Sequence, residues 1–167
     1  MKNVKRLSAW ILALVLCVSV LVLVACVDNP EAQELAVTLP KLEQNQMAIV
    51  IKNSDKDFTT IPVTLGSNGV DAKTVADVLE YLNEEGTLMT EWTESTYGKF
   101  ITKLGSIQPA SSGEWVAVFT SNASEQDTSA YATTYKIGDV TITTAIVGVS
   151  ELSVFAGCII YFELGTM

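Results

Sequence analysis

Histidine is absent from all 167 residues of this chain. Its absence excludes the nucleophilic systems in which an imidazole activates a serine or a cysteine. It also excludes the usual zinc sites, which draw on histidine. Cysteine is scarce too: there are three, and Cys158 has no second cysteine at the spacing of a metal ligand. We therefore expect neither metal nor cofactor, and no enzyme of these classes.

Other site motifs are missing or incomplete. No glycine-rich segment leads into a helix start with lysine, so a phosphate loop is excluded. Asn53, Asp55 and Asp57 imitate the start of a calcium loop, but Phe58 stands where glycine is required and Thr64 where glutamate is required. This pattern indicates a hairpin turn rather than a calcium site.

Two adjacent carboxylates, Glu84 and Glu85, close a predicted helix. A glycosidase uses a carboxylate pair, but a solvated helix terminus explains these two more simply. An enzyme that works with carboxylates alone stays open as an alternative, and the prediction is that the protein is not an enzyme.

Basic residues are few. Beyond residue 25 the chain keeps 7 lysines and arginines and all 19 acidic residues, which leaves a net charge of −12. Nucleic acids and anionic lipid surfaces both require a basic patch, so this balance argues against both as electrostatic partners. The charge indicates solubility, with an acidic binding surface as the alternative.

The N-terminal segment has the three parts of a secretory signal peptide. A basic start at Lys2, Lys5 and Arg6 precedes an apolar run over 9–25 in which Ser19 is the one polar residue. The run ends in "LVAC", which resembles the lipobox of bacterial lipoproteins. The sequence therefore predicts a signal peptide over 1–25 and lipidation of Cys26.

Acylation at Cys26 would supply more than one buried chain, and each buried methylene contributes roughly 0.8 kcal/mol, so multiple chains hold stably. The predicted location is the extracytoplasmic face of the cell membrane, with the lipid bilayer as a partner. Two alternatives stay open. The 17-residue run could be an uncleaved membrane helix, although about 20 residues are usual. Cys26 could also pair with Cys158, which lies in a strand-like run typical of a buried thiol.

The rest of the chain divides into a tether and one domain. Residues 26–45 contain Pro30 and Pro40 with little periodicity, and as a flexible coil they would reach roughly 25 Å. Residues 46–167 are enough for one domain. Thr74 and Asp77 predict a capped helix that Gly86 ends, with apolar residues on one helical face between them.

Strand-like runs surround that helix, and two of them on either side of a polar turn predict a hairpin over 47–65. Gly138 and Asp139 predict a second hairpin. The fold class is therefore α+β, with one helix covering one face of a mixed sheet. The predicted strands cover 47–52, 59–65, 99–104, 115–120, 131–137, 140–147 and 158–164.

Three stretches resemble the domain-of-unknown-function family 4430: "KTVADVLEYL", "STYGKFITKLGSIQP" and "GEWVAVFTSN". That family is similar to the C-terminal domain of transcobalamin and intrinsic factor. The match covers roughly 59–164, with two departures: Asn122 precedes Ala123 instead of glycine, and "LGSI" replaces "I-x-G-I". Residues 123–150 resemble an insertion. The resemblance implies a β-grasp-like fold and a role in holding a small ligand, without establishing cobalamin.

Aromatic side chains are the remaining candidates for a site. Trp92, Tyr97 and Phe100 lie in a polar segment, where Trp92 and Tyr97 are expected in a loop, and Trp115 opens the next strand. Tryptophan and tyrosine combine an apolar body with a polar handle, which suits ligand platforms. The alternative is core packing, which Trp115 and Phe119 would provide under the helix.

The predicted function is a non-catalytic binding module for a small ligand or a glycan, with ligand contacts at Trp92, Tyr97, Phe100 and Trp115. The alternative is an interaction or adhesin component that binds another protein through an edge strand.

Overall fold

The computed structural model describes residues 32–96 and 98–167. Cys26 and the predicted signal peptide lie outside these residues, as does Tyr97. Within the described ranges, no helix is both long and apolar enough to cross a membrane.

Nine strands and one α-helix are present in the described part of the chain. In order they are β1 (Gln33–Glu34), β2 (Gln46–Ser54), β3 (Asp57–Thr64), α1 (Val75–Glu84), β4 (Thr90–Ser95), β5 (Gly98–Leu104), β6 (Glu114–Thr120), β7 (Thr134–Ile137), β8 (Val140–Thr144) and β9 (Ile159–Thr166), with a 3₁₀ turn at Ala123–Glu125 between β6 and β7.

Seven of the strands form one mixed sheet in the order β1-β7-β8-β6-β9-β2-β3, and β4 and β5 form a separate hairpin. Two neighbouring pairs in the large sheet, β2 with β9 and β1 with β7, are parallel. The predicted α+β class is confirmed, as are the hairpins β2–β3 and β7–β8.

The helix begins and ends where its local residues predict. Thr74 accepts a hydrogen bond from the Asp77 backbone N–H, and the Asp77 carboxylate accepts from the Thr74 backbone N–H, which completes a capping box. Donation from the Lys73 and Thr74 backbone N–H groups lowers the pKa of Asp77. At the other end, Gly86 adopts a φ of 69°, which a residue with a side chain rarely adopts.

The large sheet is covered on both faces. Alternate residues of β2 point to opposite sides, so Met47 and Ile49 join one core cluster while Ala48 and Val50 join another. The first cluster, with α1 and the β4–β5 hairpin, is here called the helix-side core. The second, the far-side core, is completed by residues that precede β2, with Leu35 at 8% exposure.

The domain therefore begins earlier than the predicted boundary at residue 46. Gln33–Glu34 pairs in parallel with β7, and Leu35, Val37, Leu39 and Leu42 pack into the far-side core. Leu35, Val37 and Leu39 alternate with the period of a strand that buries one face, and the tether interpretation missed this short signal because it rested on Pro30 and Pro40. Burial of the leucine and valine side chains against the sheet holds this irregular segment in place.

Two further expectations are wrong. The segment expected to be a loop forms β4, because cross-strand pairing with β5 supplies the hydrogen bonds that its polar sequence does not suggest. Phe119 does not pack under the helix, because it lies on the opposite face, with Tyr135 and Tyr161 at ring centroid distances of 5.2 and 5.3 Å.

Candidate functional site

The strand β3 is an edge of the large sheet, and the structure shows which of its backbone groups point outward. The Leu65 N–H donates to the Asn45 carbonyl at 2.8 Å just beyond the paired residues. Antiparallel bonding alternates along a strand, so the odd-numbered residues of β3 bond to β2. Phe58, Thr60 and Pro62 therefore turn their backbone polar groups away from the sheet.

One end of this edge is closed by the chain itself. The Val70 N–H donates to the Thr64 carbonyl at 2.9 Å, so a turn over 66–70 folds against the strand. A Cβ atom on Gly69 would lie 2.0 Å from the Thr64 carbonyl oxygen, so only glycine allows this close approach. The open part of the edge is therefore 58–62, and within the described residues no strand lies beside it.

A groove of about 270 Å³ runs between this edge and the C-terminal end of α1, and we call it the β3–α1 groove. Polar and apolar side chains both line it, and they come from β3, from the helix end and from the turn over 66–70. Turn residues close its end. The lining residues are Ile61, Pro62, Val63, Thr64, Asn68, Gly69, Tyr81, Leu82, Glu85 and Thr87.

The helix wall of the groove ends in a Schellman motif. The Thr87 N–H donates to the Leu82 carbonyl at 2.9 Å and the Gly86 N–H donates to the Asn83 carbonyl at 3.1 Å. Glu84 and Glu85 close the helix, and no basic residue lies in its last turn. The negative end of the helix dipole therefore coincides with two carboxylates, although a cation is the stabilising choice there.

The aromatic residues predicted as ligand contacts are not brought together in one site. Trp92 pairs with Ile101 and packs against the helix-side core, whereas Phe100 pairs with Thr93 on the outer face of the hairpin and is 52% exposed. Trp115 lies in β6 of the large sheet. Tyr97 lies outside the described residues. None of the described three lines the β3–α1 groove.

Two of these rings have protein partners. Lys99 lies over Trp92 with its Nζ atom 4.5 Å from the ring centroid, and it also forms an ion pair with Glu80 of α1. The Trp115 ring lies against Gly165, where an added Cβ would be 2.6 Å from the indole. Both indoles therefore serve as packing surfaces within the domain.

A polar network lies on the far side of the sheet. The Glu163 carboxylate accepts hydrogen bonds from the Tyr135 hydroxyl at 2.9 Å and the Tyr161 hydroxyl at 2.8 Å, and Lys52 lies 3.8 Å away. Burial, and then Glu163, raises the pKa of Tyr135 to about 12. The same causes raise the pKa of Tyr161. The network satisfies a half-buried carboxylate and keeps both phenols protonated to a higher pH than an ordinary tyrosine side chain.

Glu125 and Cys158 belong to residue types that can act in catalysis, but both are held by contacts within the fold. Glu125 accepts from the Ser153 backbone N–H at 3.0 Å, from the Ser153 hydroxyl at 2.7 Å and from the Asn122 amide at 2.9 Å. Cys158 is fully buried, and burial raises the pKa of its thiol. A carboxylate held by three donors and an inert buried thiol stabilise the fold.

The segment over 53–57, whose sequence imitates the start of a calcium loop, forms the polar turn of the β2–β3 hairpin. Asn53 donates from its side-chain amide to Asp57 at 3.2 Å and to Thr59 at 2.9 Å, which links the two strands of the hairpin. Across residues 32–96 and 98–167, no three carboxylate or thiolate side chains are grouped to hold a metal ion.

Sequence reasoning did not identify the β3–α1 groove, although one signal for it was present. Pro62 interrupts a strand-like run, and proline within a strand is confined to an edge because it cannot donate to a neighbour. That rule locates the free edge. It does not locate Tyr81 and Glu85, since which side of α1 faces β3 depends on packing across the core.

No protein-family profile and no curated protein matches this chain. Among solved structures, the chain is similar to a candidate metal-binding protein from Ruminococcus gnavus, with 14% sequence identity and a TM-score of 0.48. The similarity covers 74% of this chain and 98% of that one. A likeness at this level carries no argument about what this chain binds.

Proposed function

We propose that this protein is a lipid-anchored extracytoplasmic domain that binds an extended segment of another polypeptide along β3, without catalysing a reaction. The observation that carries this proposal is the combination of an open strand edge at 58–62 with a groove directly beside it. Recognition by strand addition uses both elements, since backbone hydrogen bonds supply affinity and an adjacent pocket selects a side chain.

The anchoring part of the proposal rests on the residues that precede the domain. A thioether at Cys26 leaves five residues between it and Ala32, and six fully extended Cα–Cα steps reach at most about 20 Å. Because the segment from residue 33 onward packs into the domain, the tether is shorter than the sequence pattern suggested. The domain would be held close to the bilayer, where its partner would also be found.

Strand addition is supported by the backbone of Thr60. Its N–H and carbonyl both point outward by the register of β2 and β3, and Phe58 adds a further outward pair. Pro62 adds an outward carbonyl but no N–H, so fewer hydrogen bonds can form along this edge. The proline therefore disfavours nonspecific pairing with the strands of other chains. An edge of this kind suits one short, specific segment.

A small ligand or glycan is the second candidate. It is supported by the Tyr81 ring and the Glu85 carboxylate in the wall of the groove, because an aromatic surface with one acidic group can hold a small polar ligand. A β-grasp-like arrangement and a relationship to family 4430 are part of this second proposal, since that resemblance implies a ligand-holding domain.

Isotope-labelled full chain in detergent, titrated with blocked heptapeptides and separately with monosaccharides and peptidoglycan fragments, tests both candidates. The amide resonances of Thr60 and Tyr81 report on binding at the edge and in the groove. We expect peptides to shift both resonances. Absence of any shift at either residue with every probe would overturn a binding role for the groove.

Substitutions at Thr60 and Tyr81 separate the two candidates. Thr60→Pro removes an outward N–H without removing a bond to β2, whereas Thr60→Val keeps that N–H and serves as the matched control. Peptide affinity should fall at least about tenfold in Thr60→Pro and change little in Thr60→Val. Binding of a sugar that survives Thr60→Pro and is lost in Tyr81→Ala would favour the second candidate instead.

A further inference from the structure

The two carboxylates at the C-terminal end of α1, Glu84 and Glu85, form no ion pair within the described part of the chain. Within residues 32–96 and 98–167, the ion pairs join Lys52 to Asp55 and Glu163, Lys99 to Glu80, and Lys103 to Glu91. Neither Glu84 nor Glu85 takes part in one. Both are exposed, and Glu85 lines the groove.

The position of these carboxylates is unfavourable for the isolated helix. The C-terminal end of a helix carries a partial negative charge and is stabilised by lysine or arginine, yet α1 has two acids there and no basic residue in its last turn. When acidic residues occupy a helix C-terminus and no basic side chain of the protein pairs with them, a requirement other than helix stability is expected to act at that position. A cation supplied by a ligand would satisfy it.

The lining of the groove combines the two kinds of group that a long basic side chain contacts. Ile61, Val63, Leu82 and Tyr81 contribute apolar surface, and Glu85 contributes a carboxylate. Lysine and arginine bury their methylene stems on apolar surface while the charged head reaches a polar partner. A short apolar side chain would leave Glu85 unpaired, and an acidic one would be repelled.

We propose that the segment that adds to β3 carries a lysine or arginine, whose stem lies in the β3–α1 groove and whose head pairs with Glu85. This inference rests on the proposed function and names the residue class that the groove selects. The net charge of −12 beyond residue 25 acts in the same direction, because it attracts a basic segment and raises its rate of association.

Three blocked heptapeptides of alternating threonine and valine test the inference, with lysine, norleucine or glutamate at the central position. Their affinities for the full chain in detergent are measured by calorimetry at low and high salt. Because Glu85 is exposed, and an exposed ion pair contributes up to about 1 kcal/mol, we expect the lysine peptide to bind about two- to fivefold more tightly than the norleucine peptide at low salt, and salt to reduce this preference. The glutamate peptide should bind most weakly.

Two variants assign the preference to one carboxylate. Glu85→Gln should remove most of the preference for lysine, while Glu84→Gln, which alters a residue outside the groove lining, should keep most of it. An undiminished preference in Glu85→Gln would overturn the pairing with Glu85, as would equal losses in the two variants.

The controls distinguish this inference from the function on which it rests. Equal affinity for lysine and norleucine peptides, with both lost in Thr60→Pro, would overturn cation selection and leave strand addition standing. Failure of all three peptides to bind would count against both. Lysine-selective binding that Thr60→Pro leaves unchanged would show that the cation binds without strand addition, and would overturn the inference as stated.

Discussion

Lys99 covers the ring of Trp92, with its Nζ atom 4.5 Å from the ring centroid, while the same ammonium pairs with Glu80 on α1. A cation over an indole contributes roughly 0.5–1 kcal/mol when the pair is exposed. This arrangement ties the β4–β5 hairpin to the helix. The indole face that a ligand platform would require is therefore occupied by the domain's own side chain.

Replacing Trp92 with alanine should accordingly destabilise the protein. Because the indole is half-buried against the helix-side core, we expect the free energy of unfolding to fall by about 2–3 kcal/mol, somewhat less than for a fully buried ring. Phe100→Ala on the outer face of the same hairpin is the control and should change it by less than about 0.5 kcal/mol. Denaturant curves for both variants measure this, and equal small effects would restore Trp92 as a candidate contact residue.

Lipid anchoring is tested at Cys26. The Cys26→Ser variant lacks the thiol that a diacylglyceryl group requires, so it should lose fatty-acid labelling and persist as a precursor with its apolar N-terminus. Metabolic labelling followed by mass measurement reports both properties. Labelling of the serine variant at the level of the parent would contradict the lipobox interpretation.

The contact between Trp115 and Gly165 predicts a cost for any side chain at residue 165. An alanine Cβ would approach the indole to 2.6 Å, so Gly165→Ala should destabilise by about 1–3 kcal/mol through overpacking. The matched control is Gly113→Ala, where an added Cβ meets nothing within 4 Å. Thermal melting compares the two. A melting temperature for Gly165→Ala as high as that of its control would mean that the indole moves away without cost.

The phenol of Tyr135 predicts a loss of stability at alkaline pH. Its pKa in the folded protein is about 12, above the ordinary value of 10.0, so the unfolded chain releases this proton first as pH rises. The contribution is complete below pH 10 and disappears between about pH 10 and 12. Tyr135→Phe should show a shallower fall in melting temperature over this interval.

Tyr131→Phe is the control, because it removes the hydroxyl of a tyrosine whose side chain is 94% exposed. Its alkaline melting profile should match that of the parent. A parent-like slope in Tyr135→Phe as well would show that burial of the 135 phenol does not contribute to the pH dependence.

Local signals in the sequence determined the helix and two of the hairpins, β2–β3 and β7–β8. Thr74, Asp77 and Gly86 act within a few residues of one another, so the capping box and the helix end can be read directly from their spacing. Gly138 adopts the positive φ of 58° that the turn between β7 and β8 requires. Composition likewise established the acidic charge and the absence of imidazole chemistry.

Tertiary structure decided which surfaces these elements present. The parallel pairing of Ala48 with Ile159 joins residues from nearly opposite ends of the described chain, and no short-range pattern encodes it. That pairing places β2 inside the sheet and leaves β3 at its edge. Exposure cannot be read from residue type, so the sequence did not reveal that Trp92, a predicted ligand contact, packs against the helix-side core. It also did not reveal on which face of the sheet Phe119 lies, and the structure places that ring in the far-side core.

The groove itself exists only through tertiary contacts. Tyr81 and Glu85 are four positions apart, so the sequence predicts that they share a side of α1. Only the tertiary fold brings that side opposite Ile61 and Val63, so that all four residues line one groove. Helix propensity and capping depend on residues that are near neighbours in the chain. A groove between two elements depends instead on how distant parts of the chain pack together. Burial of apolar area across the core determines that packing.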